Sequence, residues 1–430
     1  MKIAVVGGGW AGLAAAVRAR QAGHAVTLLE MAGQLGGRAR EVLHDGLVLD
    51  NGQHILIGAY ARTLDLMRSV GCDPATVLRR LPLELRYPDG RGLRVPPGPQ
   101  WLGLLRATGG ARGWDWRDKA AFARTALGWV RDGFRCPPER TVQQLCAGLT
   151  PAVRQLLIDP LCVAALNTPA REASAAVMLR VLRDALFGGP GASDLLLPRR
   201  SLTQLLPAPA RAWLEHNGAE LRLSTRVDTL ARGDEGGGRG GGSGTWLVDG
   251  SAFDAVVLAC PAGEAARLVQ RIDAAWARRA QALRYEPIVT VYLRCPGARL
   301  PAPMTALFEG PVAPAQFAFD HGALGGEAGL FAFVISGART WVERGNAAIA
   351  SAVLAQAREA LAGAQVGPEV VRVLTDKRAT FRCTPALDRP PQAIAPGLVA
   401  AGDYVEGPYP ATLEGAVRSG EAALARLSGA

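Results

Sequence analysis

The first residues that could do chemistry lie close to the N-terminus. Gly7-Gly8-Gly9-Trp10-Ala11-Gly12 follows the apolar run Lys2 to Val6 and opens a segment, Leu13 to Gln21, of helical periodicity. Strand, glycines and helix in that order suit a pyrophosphate. Gly7 permits a tight turn, Gly9 lets backbone approach the phosphates, and Gly12 lets helix and strand pack closely. The amides of Trp10 and Ala11, at the helix start, then face the anion. A second strand, Ala25 to Leu29, ends in Glu30, placed to accept hydrogen bonds from a ribose. The pattern predicts dinucleotide binding, and a merely structural Gly-rich turn would leave Glu30 unexplained.

Gln34-Leu35-Gly36-Gly37-Arg38 comes next, where an NAD-type unit would go straight into its next helix. Glu30 followed by Gly36-Gly37-Arg38 resembles the flavin-dependent amine oxidase and phytoene desaturase superfamily. That resemblance implies FAD, with Arg38 at its pyrophosphate. Near the other end, Leu398 to Ala401 runs into Gly402-Asp403, and Thr412-Leu413-Glu414-Gly415-Ala416 opens a last helix. By the same resemblance Gly402 and Asp403 sit at the ribityl chain, while Thr412, Leu413, Glu414 and Ala416 present a helix start to the flavin. Oriented N–H dipoles there stabilise an electron-rich ring. Glu414 is also a candidate for ordering that helix. Leu221 to Val227 reads as a strand, and Thr225-Arg226-Val227 resembles the segment that places Val227 on the adenine.

The stretch Asp50-Asn51-Gly52-Gln53-His54, continuing to Gly58-Ala59-Tyr60, narrows the resemblance to the bacterial hydroxysqualene dehydroxylases. Ala165 to Pro169, Leu196 to Arg199, Lys377 to Phe381 and Tyr409 to Gly420 match them too, so the likeness spans essentially the whole chain. It implies reduction of hydroxysqualene to squalene with FAD supplying hydride, on the route to hopanoids. Asn51, Gly52, Gln53 and His54 would stand beside the flavin, and His54, Tyr404 and Glu406 are the candidate acids for the departing hydroxyl. A polyprenoid desaturase shares the glycine and C-terminal motifs and is the runner-up. An amine oxidase would place a Lys on the strand-like Tyr285 to Leu293, and none is there. A flavin-free escort protein of the same fold would have no use for Glu30, Arg38 and Asp403 together.

The elements that must position these groups follow from the pattern. The expected architecture is α/β: a Rossmann-like, glutathione-reductase-type FAD domain with an inserted α+β substrate domain. Residues 1–80, 200–283 and 384–430 form the FAD segments; 81–199 is a helical lid segment and 284–383 a sheet segment, with strand-like runs at Ile288 to Leu293 and Leu330 to Ile335. Gly233 to Gly244 reads as a mobile hairpin tip rather than a phosphate loop, since no helix follows. Cys260, beside Pro261 with no base nearby, reads as core.

Composition bounds the rest. The chain has 430 residues, 49% hydrophobic and 20% charged, which fits a large folded core. The net charge is +10, yet only Lys2, Lys119 and Lys377 are lysines among 48 basic residues, and the arginines are scattered without a nucleic-acid motif. Nucleic acid is therefore not an expected partner. Seven cysteines with no C-x-x-C pair suit neither a disulfide framework nor a zinc site, so no metal and a reducing, cytoplasmic compartment are expected. The local exception is Trp101 to Arg135, with four tryptophans and seven basic residues against three Asp. It reads either as a helix on an anionic bilayer, putting the protein peripherally on the inner membrane, or as a solvated lid whose tryptophans pack inward. The electron donor is not legible.

Overall fold

The computed structural model describes residues 1–96, 100–233, 244–361 and 364–428; the glycine-rich tip at 234–243 and the Trp101 side chain lie outside the described residues. One half is built on a six-stranded sheet ordered Glu220–Arg222, Ala25–Leu29, Lys2–Val6, Ala255–Leu258, Leu398–Ala400 and Ala393–Ala395. The first five are parallel, and the last pairs antiparallel at the edge. Strands from the two ends and the middle of the chain thus meet in one sheet. The four inner strands are nearly all apolar and buried because both faces are covered. Ile3, Val5, Val26, Leu28 and Val257 pack under the helices Trp10–Gln21 and Leu413–Ser428, while Ala4, Val6, Val256 and Leu258 face the larger core. The two helices cross in close contact: a Cβ on Gly420 would stand 2.2 Å from the carbonyl oxygen of Ala11.

The expected strand Leu221 to Val227 is shorter than its sequence suggests. It spans Glu220–Arg222, because Ser224 turns left-handed (φ +52°) and its N–H bonds Ala32 O. Thr225 N–H then bonds Glu30 O, which carries Thr225 to Val227 across the end of the second strand.

A second, antiparallel sheet is ordered Met304–Ala306, Phe317–Asp320, Leu330–Ile335, Tyr285–Arg294 and Glu369–Phe381. Strand alternation divides its side chains between two cores. Val289, Val291, Phe331 and Phe333 pack under the helix Asn346–Ala360; Tyr292, Ala332, Val334 and Phe319 face inward to the main core. Residues 100–187 are helical and lie against that inner face.

Asn167 locks the helical segment to the sheet. It ends the helix Asp159–Leu166 in the left-handed region (φ +45°), where Asn is tolerated better than most residues. Its Nδ2 donates to Glu286 O (3.1 Å) and Thr380 Oγ1 (2.9 Å), and its Oδ1 accepts from Gly337 N–H (2.7 Å).

The Trp-rich stretch folds as two helices, Gln100–Gly110 and Trp116–Arg131, the second started by a reciprocal capping box between Asp115 and Asp118. Trp114 and Trp129 turn inward around Phe122, whereas Trp116 is 73% exposed. Among the described residues no helix is long and apolar enough to cross a membrane.

Candidate functional site

The glycine turn is a cradle that admits no larger residue at Gly7 or Gly12. A Cβ on Gly12 would stand 1.9 Å from Gly7 O, and Gly7 itself has φ +109°, a conformation L side chains rarely adopt. Gly9 precedes the helix Trp10–Gln21 with no side-chain cap and no acid in the first turn. The opening amides, Trp10 and Ala11 among them, are left to an external anion. Gly36 N–H bonds Gly8 O (2.9 Å), and Gly37 lies against Gly9, so a second glycine pair covers the first without filling it.

Glu30 is 8% exposed and accepts from Gly8 N–H (2.7 Å) and Ala32 N–H (2.8 Å). It therefore orders the cradle as well as closing the second strand. Arg38 reaches across: its Nη2 meets Asp403 Oδ1 at 2.6 Å and its Nη1 donates to Ala379 O at 2.6 Å. One guanidinium thus joins the N-terminal segment, the C-terminal segment and the long strand of the second sheet. Val227 is buried, its carbonyl taken by Arg267 Nη2 at 2.7 Å.

The C-terminal end is arranged with the same economy. Gly402 N–H donates to Ser419 Oγ (3.0 Å), and Thr412 Oγ1 accepts from Gly415 N–H (2.9 Å), capping the helix start at Leu413. Glu414 points elsewhere. Fully buried, it accepts from Arg62 N–H, Thr63 N–H and Thr63 Oγ1, and pairs with Arg418. Its carboxylate caps the helix Ala61–Ser69, leaving only its backbone at the opening of the last helix. Ala416 is half-buried one turn on.

Between these ends lies Asn51 to His54. Asn51 Nδ2 donates to Arg38 O (3.0 Å), and Gly52 turns left-handed at φ +90°. The half-buried His54 bonds Gly52 O through Nδ1 (3.0 Å), and removal from water lowers its pKa against the pull of that carbonyl. Nδ1 thus carries the ring's proton and Nε2 presents a lone pair. Gln53 Oε1 is buried without a partner.

Of the three candidate acids, Tyr404 is 3% exposed, its ring lies over Gly402, and its hydroxyl has no partner. Burial holds its pKa well above the usual 10, so it keeps its proton. Glu406 is exposed and acts electrostatically on Arg389, as Asp403 does.

Sequence reasoning missed four groups. Tyr285 and Asp376 act electrostatically on the cluster around Arg38 and His54. Thr290 brings a buried, unpartnered hydroxyl to the same place. Asp50 is 8% exposed, and burial with a smaller push from Glu41 raises its pKa to about 7 although Leu202 N–H bonds it. Only Asp50 carried a signal, as the acid opening Asn51 to His54. Tyr285 and Thr290 lie on a run that reads only as a strand, and Asp376 directly precedes the matched stretch Lys377 to Phe381.

The site fits a flavin dinucleotide on structural grounds: a backbone cradle closed to a Cβ at Gly7 and Gly12, an arginine tying the N-terminal segment to Asp403, and buried polar atoms of Gln53 and Tyr404 that lack partners. Within the helical segment lies an apolar cavity of about 60 Å³, walled among others by Leu93, Phe122, Trp129, Leu161 and Phe187.

Comparison with known proteins agrees with the geometry. Over residues 10–427 the chain matches the family model described as flavin containing amine oxidoreductase. It is 28% identical to the hydroxysqualene dehydroxylase of Rhodopseudomonas palustris, covering 97% of this chain and 96% of that one. With the protein of the same name from Zymomonas mobilis it shares 27%, covering 97% of each. An oxidoreductase from Methanosarcina mazei superposes with a TM-score of 0.74 at 16% identity, over 99% of this chain and all of the other. The chain is an FAD-dependent oxidoreductase and belongs to the family of flavin-containing amine oxidoreductases.

Proposed function

We propose that the protein reduces hydroxysqualene to squalene, within hopanoid synthesis. The observation that carries this reading is end-to-end similarity to proteins bearing that name, over 97% of the chain. The chemistry of the site supports it, because the inward face of the second sheet is almost wholly apolar where it meets the cofactor half. A hydrocarbon with one hydroxyl needs such a wall with few polar groups in it.

In this reading Gly7, Gly9, Trp10, Ala11 and Gly12, covered by Gly36, Gly37 and Arg38, hold the pyrophosphate of FAD. Glu30 takes a ribose, Val227 lies on the adenine, and Asp403, beside Gly402, takes the ribityl chain. Asn51 to His54 and the backbone from Thr412 to Ala416 line the ring. When bound and reduced, FAD supplies the hydride. The C–O bond breaks and the hydroxyl leaves as water, so one proton must come from the protein or solvent. Tyr404 is the group proposed to donate it, since its hydroxyl is buried without a partner and its ring lies against Gly402. His54, neutral and bonded to Gly52 O, orients the leaving group with its lone pair.

The cavity between the helices is far smaller than a thirty-carbon chain, so admission requires those helices to part. Leu105, Trp116, Leu127, Val130 and Phe187 are exposed there, among Arg106, Arg117, Arg124 and Arg131. We place this surface on the cytoplasmic face of an anionic membrane, where the substrate dissolves. The triple variant Trp116→Ser, Leu127→Ser, Val130→Ser is expected to lose binding to anionic vesicles; unchanged binding refutes the membrane assignment alone. The test of function is anaerobic incubation of the reduced holoprotein with hydroxysqualene. Squalene is the expected product. No squalene, with phytoene desaturated by the oxidised protein instead, would replace the proposal with a desaturase.

A further inference from the structure

The strand Tyr285–Arg294 lies at the junction of the two halves, and its inward side chains from Ile288 to Tyr292 are Ile288, Thr290 and Tyr292. Tyr292 is satisfied, since its hydroxyl donates to Asp50 O (2.9 Å) and accepts from Asp50 N–H (3.2 Å). Thr290 is not. It is 1% exposed, and its Oγ1 has no hydrogen-bond partner. Its neighbours in register, Val334 and Leu374, are apolar and can offer no side-chain bond.

A buried hydroxyl left unpaired costs stability that an isosteric valine would not. Val289 and Val291 flank it on the same strand, so this backbone accepts valine readily. The hydroxyl also has a definite location. A Cβ built on Gly52 would stand 3.9 Å from Thr290 Oγ1 and 4.0 Å from His54 Cε1. Thr290 thus faces the left-handed turn of the segment proposed to line the flavin ring, with the His54 imidazole beside it.

Resting on the dehydroxylation reading, we infer that the Thr290 hydroxyl hydrogen-bonds the hydroxyl of the substrate and sets the preference for the alcohol over the hydrocarbon product. It is an unpaired polar point on an otherwise apolar stretch of strand, and an allylic alcohol differs from squalene by one group. Product release follows from the same contact: once the hydroxyl has left as water, Thr290 has nothing to bind, and squalene is held by apolar contact alone.

The test uses oxidised holoprotein and measures dissociation constants for hydroxysqualene and for squalene through tryptophan fluorescence, for wild type, Thr290→Val and Thr290→Ser. Wild type is expected to prefer the alcohol by about tenfold, equivalent to roughly 1.4 kcal/mol. Thr290→Val should bring the ratio near one, leave squalene affinity intact and keep or raise the thermal midpoint. Thr290→Ser should restore the preference. A Thr290→Val protein that retains the tenfold ratio overturns the inference, as does a wild type without preference. If the valine variant loses stability or does not fold, the hydroxyl has a partner within the protein, and the inference fails again. Turnover separates the two ideas: a wild type that makes no squalene defeats the proposed function, whereas one that makes squalene while Thr290→Val keeps its discrimination defeats the role of Thr290 alone.

Discussion

Glu414 offers the sharpest separation between a residue that binds cofactor and one that holds the site together. Its carboxylate is fully buried and takes four hydrogen bonds: Arg62 N–H at 3.2 Å, Thr63 N–H at 2.9 Å, Thr63 Oγ1 at 2.8 Å and Arg418 Nε at 2.7 Å. Glu414→Gln keeps the shape but replaces one acceptor oxygen with an amide that points donors at donors. Hydrogen bonds to a charged group are worth about 1.5–3 kcal/mol each, and an orphaned buried donor costs about 1–3 kcal/mol. Arg418 is partly exposed and recovers water, so its share is discounted. A net loss of ~3 kcal/mol follows. With an unfolding entropy of roughly 2.1 cal/mol/K per residue, a chain of this length unfolding as one unit has ~0.9 kcal/mol/K, and the midpoint falls by ~3 °C. The assay is calorimetry of apo and holo forms with the flavin-to-protein ratio measured alongside. Both forms should lose the same few degrees, with flavin content intact at low temperature. A Gln variant as stable as wild type, or one destabilised only with flavin bound, would refute the capping role and return Glu414 to the cofactor.

Three further outcomes follow from named contacts. Asp50, with a folded pKa of about 7, holds a proton between pH ~4 and ~7 that the unfolded chain has released, so stability falls as pH rises through that window. Asp50→Asn keeps an acceptor for Leu202 N–H and should flatten the fall, worth on the order of 2–4 kcal/mol, in urea titrations at pH 5 and 8; identical slopes would count against it. Gly12→Ala places a methyl 1.9 Å from Gly7 O and should yield protein without flavin, read from its visible absorbance; a yellow, stable variant would show that the cradle tolerates a side chain. Asn167→Ala removes three bonds between the helical segment and the second sheet, at a cost of about 2–4 kcal/mol, and should make residues 100–187 cut sooner in limited proteolysis; an unchanged digestion pattern would show that other contacts suffice.

The cofactor end was legible because its chemistry constrains the backbone. Gly7 and Gly12, where no Cβ fits, a strand before them and an acid after the next strand leave a trace in the letters of the chain, whatever the rest of the fold does. The reach of Arg38 to Ala379 O was not legible: a carbonyl has no sequence signature, and Lys377 to Phe381 showed only as a match without a role. Glu414 was ambiguous for a related reason. Its position at a helix start fits an anion site, and only the packing of Ala61–Ser69 against the last helix shows where the carboxylate points. The Trp-rich stretch carried both of its readings into the structure, with Trp114 and Trp129 inward and Trp116 outward, because helical periodicity alone does not say which neighbour covers which face.

Thr290 marks the limit of that logic. Within a strand of Val, Tyr and Leu it reads as another β-branched core residue, and its burial bears this out. What sets it apart is an absence, a hydroxyl with no partner, and absences become visible only when every neighbour has been placed. The cofactor end has to bind one invariant molecule and can be written in a motif. Selection among hydrocarbons falls to single atoms on an apolar wall, supplied by strands whose sequence is otherwise dictated by packing.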